Sequence, residues 1–152
     1  MSEVIEKRLE EVRAKFATFT APGADPDDKW NYIIGLAKAH KGMDESLKNE
    51  KFIVVGCAAT MYLVPQFTGS AIHFEMDVEG GTTNPLISRG LGALALSIYN
   101  DMAPADILAV DPKFFQDIGL NVGLSPTRSN GFASLLKQIY LYARVYDAIS
   151  KK

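Results

Sequence analysis

The hydrophobic period of this chain changes twice. Before residue 51 and after residue 83, apolar side chains recur every three or four positions. Between them stand three short runs, KFIVVG, TMYLVPQF and AIHFEMDV, rich in β-branched and aromatic residues and separated by small or turn-forming ones. Runs of this length and composition fit a pleated, half-buried surface, and their short connections predict a three-stranded antiparallel meander. In the third run Ile72, Phe74 and Met76 alternate with His73, Glu75 and Asp77, so one face should be packed and the other wet, with His73 a solvated strand residue. Pro65 has no amide to give to a ladder, which puts the end of the second run at an edge or a bulge. Strands gathered in the middle of helices predict an α+β domain. Helices should cover its sheet mainly on one face and stand at both termini.

The flanking segments carry their own start and stop signals. Val4, Leu9, Val12 and Phe16 recur at helical spacing among charges, which predicts an amphipathic helix over about residues 3–17. Asp25 and Pro26 read as a helix start, followed by an inward stripe of Trp30, Ile33, Ile34 and Ala37. His40 falls in the last turn and Gly42 at the left-handed terminating position. Asn84 and Pro85 repeat the start signal before LISRGLGALALSIYNDM, where Gly90, Gly92 and Ala93 predict close packing on the sheet. Pro104 and the pair Asp111–Pro112 open two short helices, and Gly119 closes the second. The loop LNVGLSPTRSNG then leads into a long terminal helix with Phe132, Leu135, Leu136, Ile139 and Tyr146 inward. Asn130 and Gly131 are expected to set its start.

Size and charge exclude several roles. A chain of 152 residues is expected to form a single domain, 1–152, around one core. Its net charge of -2 comes from well-mixed acids and bases, so it lacks the basic field a nucleic-acid backbone requires. The charged start MSEVIEKRLEEVRAKF has no apolar leader, and no apolar run reaches membrane-spanning length. With one cysteine there is no internal disulfide, in keeping with a cytoplasmic location. One thiolate with His40 and His73 far from it cannot complete a zinc or iron–sulfur site, so no metal or cofactor is expected. That cysteine, Cys57 in KFIVVGCAATMYL, is either a small buried hydrophobe or a working thiol. Its immediate neighbours leave both open.

Three stretches taken together, VGCAATMYL, SRGLGALALSIYNDMAPADIL and GLSPTRSNGFASLLKQI, resemble the SufE family, the sulfur-acceptor partners of cysteine desulfurases. The likeness runs in the same order from about residue 28 to residue 143, and the LSPTRSNG block is its most specific part. It implies that Cys57 is the acceptor that takes sulfane sulfur from a pyridoxal-phosphate desulfurase, stimulates that enzyme, and passes sulfur on to an iron–sulfur scaffold. The cofactor would belong to the partner. Arg128 falls on the family's arginine in that block, and Asp77, with Glu79, falls near an acidic pair after the third strand. All three are expected to contact the desulfurase. The segment GGTTNP, residues 80–85, is an insertion relative to the family pattern. A different reading makes the protein an adaptor that activates a desulfurase allosterically, with Cys57 dispensable.

Overall fold

The computed structural model describes residues 1–57, 59–80 and 85–151. Helix α1, Glu3–Phe19, starts where the Ser2 hydroxyl accepts the Ile5 amide. It buries Ile5, Leu9, Val12 and Phe16. The inward stripe begins at Ile5, one position later than expected, since Val4 is 53% exposed. Helix α2 spans Asp28–Ala39. The Asp25 carboxylate accepts the Asp27 amide at 2.9 Å and so shapes the turn that feeds it. His40 follows as the C-cap, and its Nε2 lies 2.7 Å from the Met76 carbonyl oxygen. Gly42 does not take the expected left-handed conformation. A Cβ there would stand 2.7 Å from Asp77 Oδ2, so it is the approach of a carboxylate that calls for glycine.

The sheet has two strands among the described residues, β1 (Thr60–Phe67) and β2 (Ile72–Glu79), paired antiparallel with Thr60 opposite Glu79 and Phe67 opposite Ile72. The first run, KFIVVG, is therefore not the expected third strand. Glu50–Phe52 is a 3-10 turn capped by the Asn49 side chain. Ile53 then forms a single bridge with Tyr62, and the Val54 amide donates to the Met61 carbonyl at 2.8 Å. Extension stops there because Gly56 takes φ +103, a region that glycine alone enters freely, and swings the chain off the sheet. Pro65 stands inside β1, an edge strand whose outer side carries, among the described residues, only that bridge.

Alternation in β2 follows the expected pattern with one exception. Ile72, Phe74 and Met76 are buried and His73 and Glu75 partly exposed, but Asp77 is only 7% exposed. Helix α3, Leu86–Tyr99, crosses both neighbours at close range. A Cβ on Gly90 would collide with the Ile33 carbonyl of α2, and one on Gly92 with the Met76 side chain of β2. The small residues thus serve a helix contact as well as the sheet contact expected. Pro85 precedes α3, while Asn84 lies outside the described residues, as does most of the GGTTNP segment.

Helices α4 (Pro104–Ala109) and α5 (Phe114–Asp117) lead to α6 (Pro126–Ser150). Helix α6 buries Phe132, Leu135, Leu136 and Ile139, and Tyr146 stacks on Phe67 of β1 with ring centroids 4.7 Å apart. Phe74 meets Tyr142, so α3 and α6 together cover one face of the sheet. Between these helices the Tyr140 hydroxyl donates to the Val110 carbonyl at 2.9 Å and lies 2.8 Å from the Tyr99 hydroxyl. The fold is α+β, as expected from the grouping of elements.

Candidate functional site

Cys57 stands between the Ile53 bridge and β1, on the loop that Gly56 turns toward α6. A Cβ on Gly56 would run into the Ser134 hydroxyl, so this loop rests on the helix at close quarters. The thiol is half-buried. Its Sγ donates to the Gly131 carbonyl at 3.5 Å and lies 4.0 Å from Met61 Sδ. Burial pushes the thiol pKa above its ordinary value, and a carbonyl acceptor suits S–H better than a thiolate. At rest this is a protonated, sheltered sulfur.

The sulfur opens onto a cavity of about 170 Å³. Its buried walls are Ala59, Met61, Val78, Leu91 and Phe132. Its more exposed side carries Ser88, Ser125, Thr127 and Arg128. Arg128 is in the first turn of α6, positioned by Ser125, whose hydroxyl accepts the Arg128 amide at 3.2 Å. Ser125 followed by Pro126 therefore sets the start of this helix. Asn130 and Gly131, expected to do so, are already inside it. Cys57 and Arg128 line one cavity, and among the described residues no carboxylate pairs with the guanidinium. That leaves a cation free beside a site where negative charge can develop.

Asp77 and Glu79 are placed differently from each other. Asp77 is buried between two cations, with Lys48 Nζ at 3.3 Å from Oδ2 and Arg89 Nε at 3.3 Å from Oδ1. Burial alone would raise its pKa, but the Val78 amide, Lys48 and Arg89 outweigh that and hold the carboxyl below its ordinary range. Lys48 also binds Glu45 at 2.8 Å and pairs with Glu79. These acids, Glu45 first, keep its ammonium charged well above the usual lysine range. Arg89 further donates to the Val78 carbonyl at 2.7 Å. The cluster ties the segment before Cys57 and the start of α3 to the end of β2. Asp77 has both oxygens engaged and could meet a partner only by giving up these pairs, whereas the Glu79 side chain is 44% exposed.

Sequence reasoning did not single out Gly131, Ser134, Thr127 or Ser88 as neighbours of the thiol. With residues 120–131 read as loop, the helical spacing that puts Thr127, Arg128, Gly131 and Phe132 along one side of α6 was hidden. Ser125–Pro126 is the cap signal that would have shown it.

This α+β domain holds its one cysteine half-buried on a loop, against a helix whose first turn carries an arginine that has no ion-pair partner among the described residues. The chain belongs to the SufE family: a family model described as an Fe-S metabolism associated domain matches residues 10–143. An uncharacterized SufE-like protein of Rhizobium etli is 34% identical over 125 residues, 82% of this chain and 84% of the relative. One from Rhizobium meliloti is 32% identical over 114 residues, covering 74% and 81%. Another from Synechocystis is 26% identical over 123 residues, covering 81% and 74%. The solution structure of a hypothetical protein from Thermus thermophilus shares the fold, with a TM-score of 0.71 at 15% identity over 93% of this chain and 96% of that one. Membership associates the chain with iron–sulfur metabolism. Among the described residues no helix is long and apolar enough to cross a membrane.

Proposed function

We propose that this protein accepts sulfane sulfur from the persulfide of a cysteine desulfurase onto Cys57, stimulates that enzyme, and hands the sulfur on for iron–sulfur assembly. The observation that carries this reading is the setting of its only cysteine, half-buried at a cavity that is also lined by an arginine with no ion-pair partner among the described residues. The Cys57 thiolate attacks the outer sulfur of the donor persulfide. A new S–S bond forms on Cys57, the donor's S–S bond breaks, and the donor cysteine leaves as thiolate with the electron pair. A recipient thiolate then repeats the exchange on Cys57. Neither step consumes an oxidant. The apolar walls shelter the loaded sulfur from stray reductants and oxidants, and Gly56 supplies the backbone freedom by which the loop can turn outward on docking.

Incubation with a cysteine desulfurase and L-cysteine should add the mass of one sulfur atom at Cys57, and Cys57→Ser should abolish it. If Cys57→Ser stimulates the desulfurase as well as the native chain, the protein is an allosteric adaptor and the carrier reading fails. Arg128 and the exposed Glu79 are assigned to partner docking. Arg128→Ala should weaken stimulation while shifting the melting temperature by only a few degrees, as expected for a half-exposed side chain with no ion-pair partner among the described residues. A large loss of stability with full stimulation would make Arg128 a brace instead.

A further inference from the structure

The cavity at Cys57 is larger than one stored sulfur atom requires. An apolar cavity of about 150 Å³ is enough to hold a benzene-sized molecule, and this one is about 170 Å³. It is also two-sided. Met61, Val78 and Leu91 make a dry wall, while Ser88, Thr127 and Arg128 bring two hydroxyls and a cation to the other. None of these three polar side chains is committed to a protein partner among the described residues. Arg89 nearby differs, being occupied by Asp77 and the Val78 carbonyl. The Ser125 hydroxyl accepts the Arg128 amide and keeps its own proton to donate. A small pocket with convergent donors beside a nucleophile has the form of a ligand site, and these donors select an anion.

Resting on the reading of Cys57 as a sulfur carrier, we propose that this cavity also admits a small sulfonate-headed sulfane donor, with thiosulfate the simplest, and that Cys57 takes its outer sulfur without a partner protein. The oxyanion head lies toward Arg128, Ser125 and Thr127, and the soft outer sulfur lies in the apolar side at Sγ. The Cys57 thiol loses its proton to solvent, and the thiolate attacks that outer sulfur. A Cys57 S–S bond forms, the S–S bond of thiosulfate breaks, and sulfite leaves with its electron pair, so Cys57 ends as a persulfide anion and the total charge is unchanged. Arg128 offsets the repulsion between thiolate and dianion that otherwise opposes the encounter.

The test uses the full chain with thiosulfate as the only sulfur source. Cys57 should gain the mass of one sulfur with one equivalent of sulfite released, saturably in thiosulfate, and Cys57→Ser should gain none. Arg128→Ala should lower kcat/KM by about tenfold or more, mainly through KM, as loss of a charge-assisted contact does, and Arg128→Lys should recover part of it. Sulfate, which has the same head without a transferable sulfur, should slow alkylation of Cys57 in the native chain and not in Arg128→Ala. If thiosulfate leaves Cys57 unloaded while a desulfurase with cysteine still loads it, this donor is excluded and the proposed function stands. Loading that does not saturate and is the same in Arg128→Ala would remove the cavity from the reaction. Failure of both donors would remove the carrier role with it.

Discussion

At the scale of single residues, reactivity here is decided by what surrounds one sulfur. Burial and the Gly131 carbonyl both favour the protonated thiol, so Cys57 should react slowly at neutral pH. Its alkylation by iodoacetamide should reach half of its plateau rate only above pH 9.0, the ordinary thiol value, at which a free cysteine peptide is already half-maximal. A profile that levels at or below that value would mean that the resting sulfur is not shielded. Gly56 sets where the sulfur lies. Alanine there would meet both an unfavourable φ and the Ser134 hydroxyl, so Gly56→Ala should cost about 1–3 kcal/mol in urea unfolding and leave Cys57 faster to alkylate. Cys57 stood out in the sequence as the single cysteine, but the carbonyl its thiol meets comes from α6, more than seventy positions away.

At the scale of elements, period and punctuation placed the helices to within a few residues, because Pro104 and Gly119 act through local backbone geometry, although Asp25–Pro26 lies in the turn before α2 and the start of α6 was read as loop. KFIVVG misled for a physical reason. Its composition suits a strand, yet strand identity requires a continued ladder, and Gly56 ends the pairing after one bridge. The junction of α4 and α6 illustrates a contact with no local signal. Tyr140 donates to Val110, so the Tyr99 hydroxyl donates to Tyr140. Tyr140→Phe leaves a buried carbonyl and a buried hydroxyl without partners and should cost about 2–3 kcal/mol, whereas Tyr99→Phe removes only an outer donor and should cost about 1 kcal/mol. Equal losses in chemical denaturation would show that this order of donors is wrong.

At the scale of the whole molecule, Lys48, Asp77 and Arg89 join three segments, and their charge makes the fold sensitive to acid. The folded-state pKa of Asp77 is below its ordinary 3.8, so its contribution is complete above that pH and is lost as pH falls through the lower folded value. Asp77→Asn should therefore cost about 3 kcal/mol at neutral pH, by leaving buried cations under-compensated, and its deficit against the native chain should narrow below pH 3.8. A deficit constant down to acid pH would show that the carboxylate charge is not what matters. The sequence by itself determined the helical flanks, the β2 alternation and the family, since these follow from local period, caps and linear motifs. It also marked Cys57 and Arg128 as a pair to look for. Only the tertiary structure decided that they share a cavity, that the Gly131 carbonyl accepts a hydrogen bond from the thiol, and that Asp77 is a buried brace while Glu79 stays at the surface. Those outcomes depend on which distant elements approach one another, and a period or a motif carries no record of the face on which two segments meet.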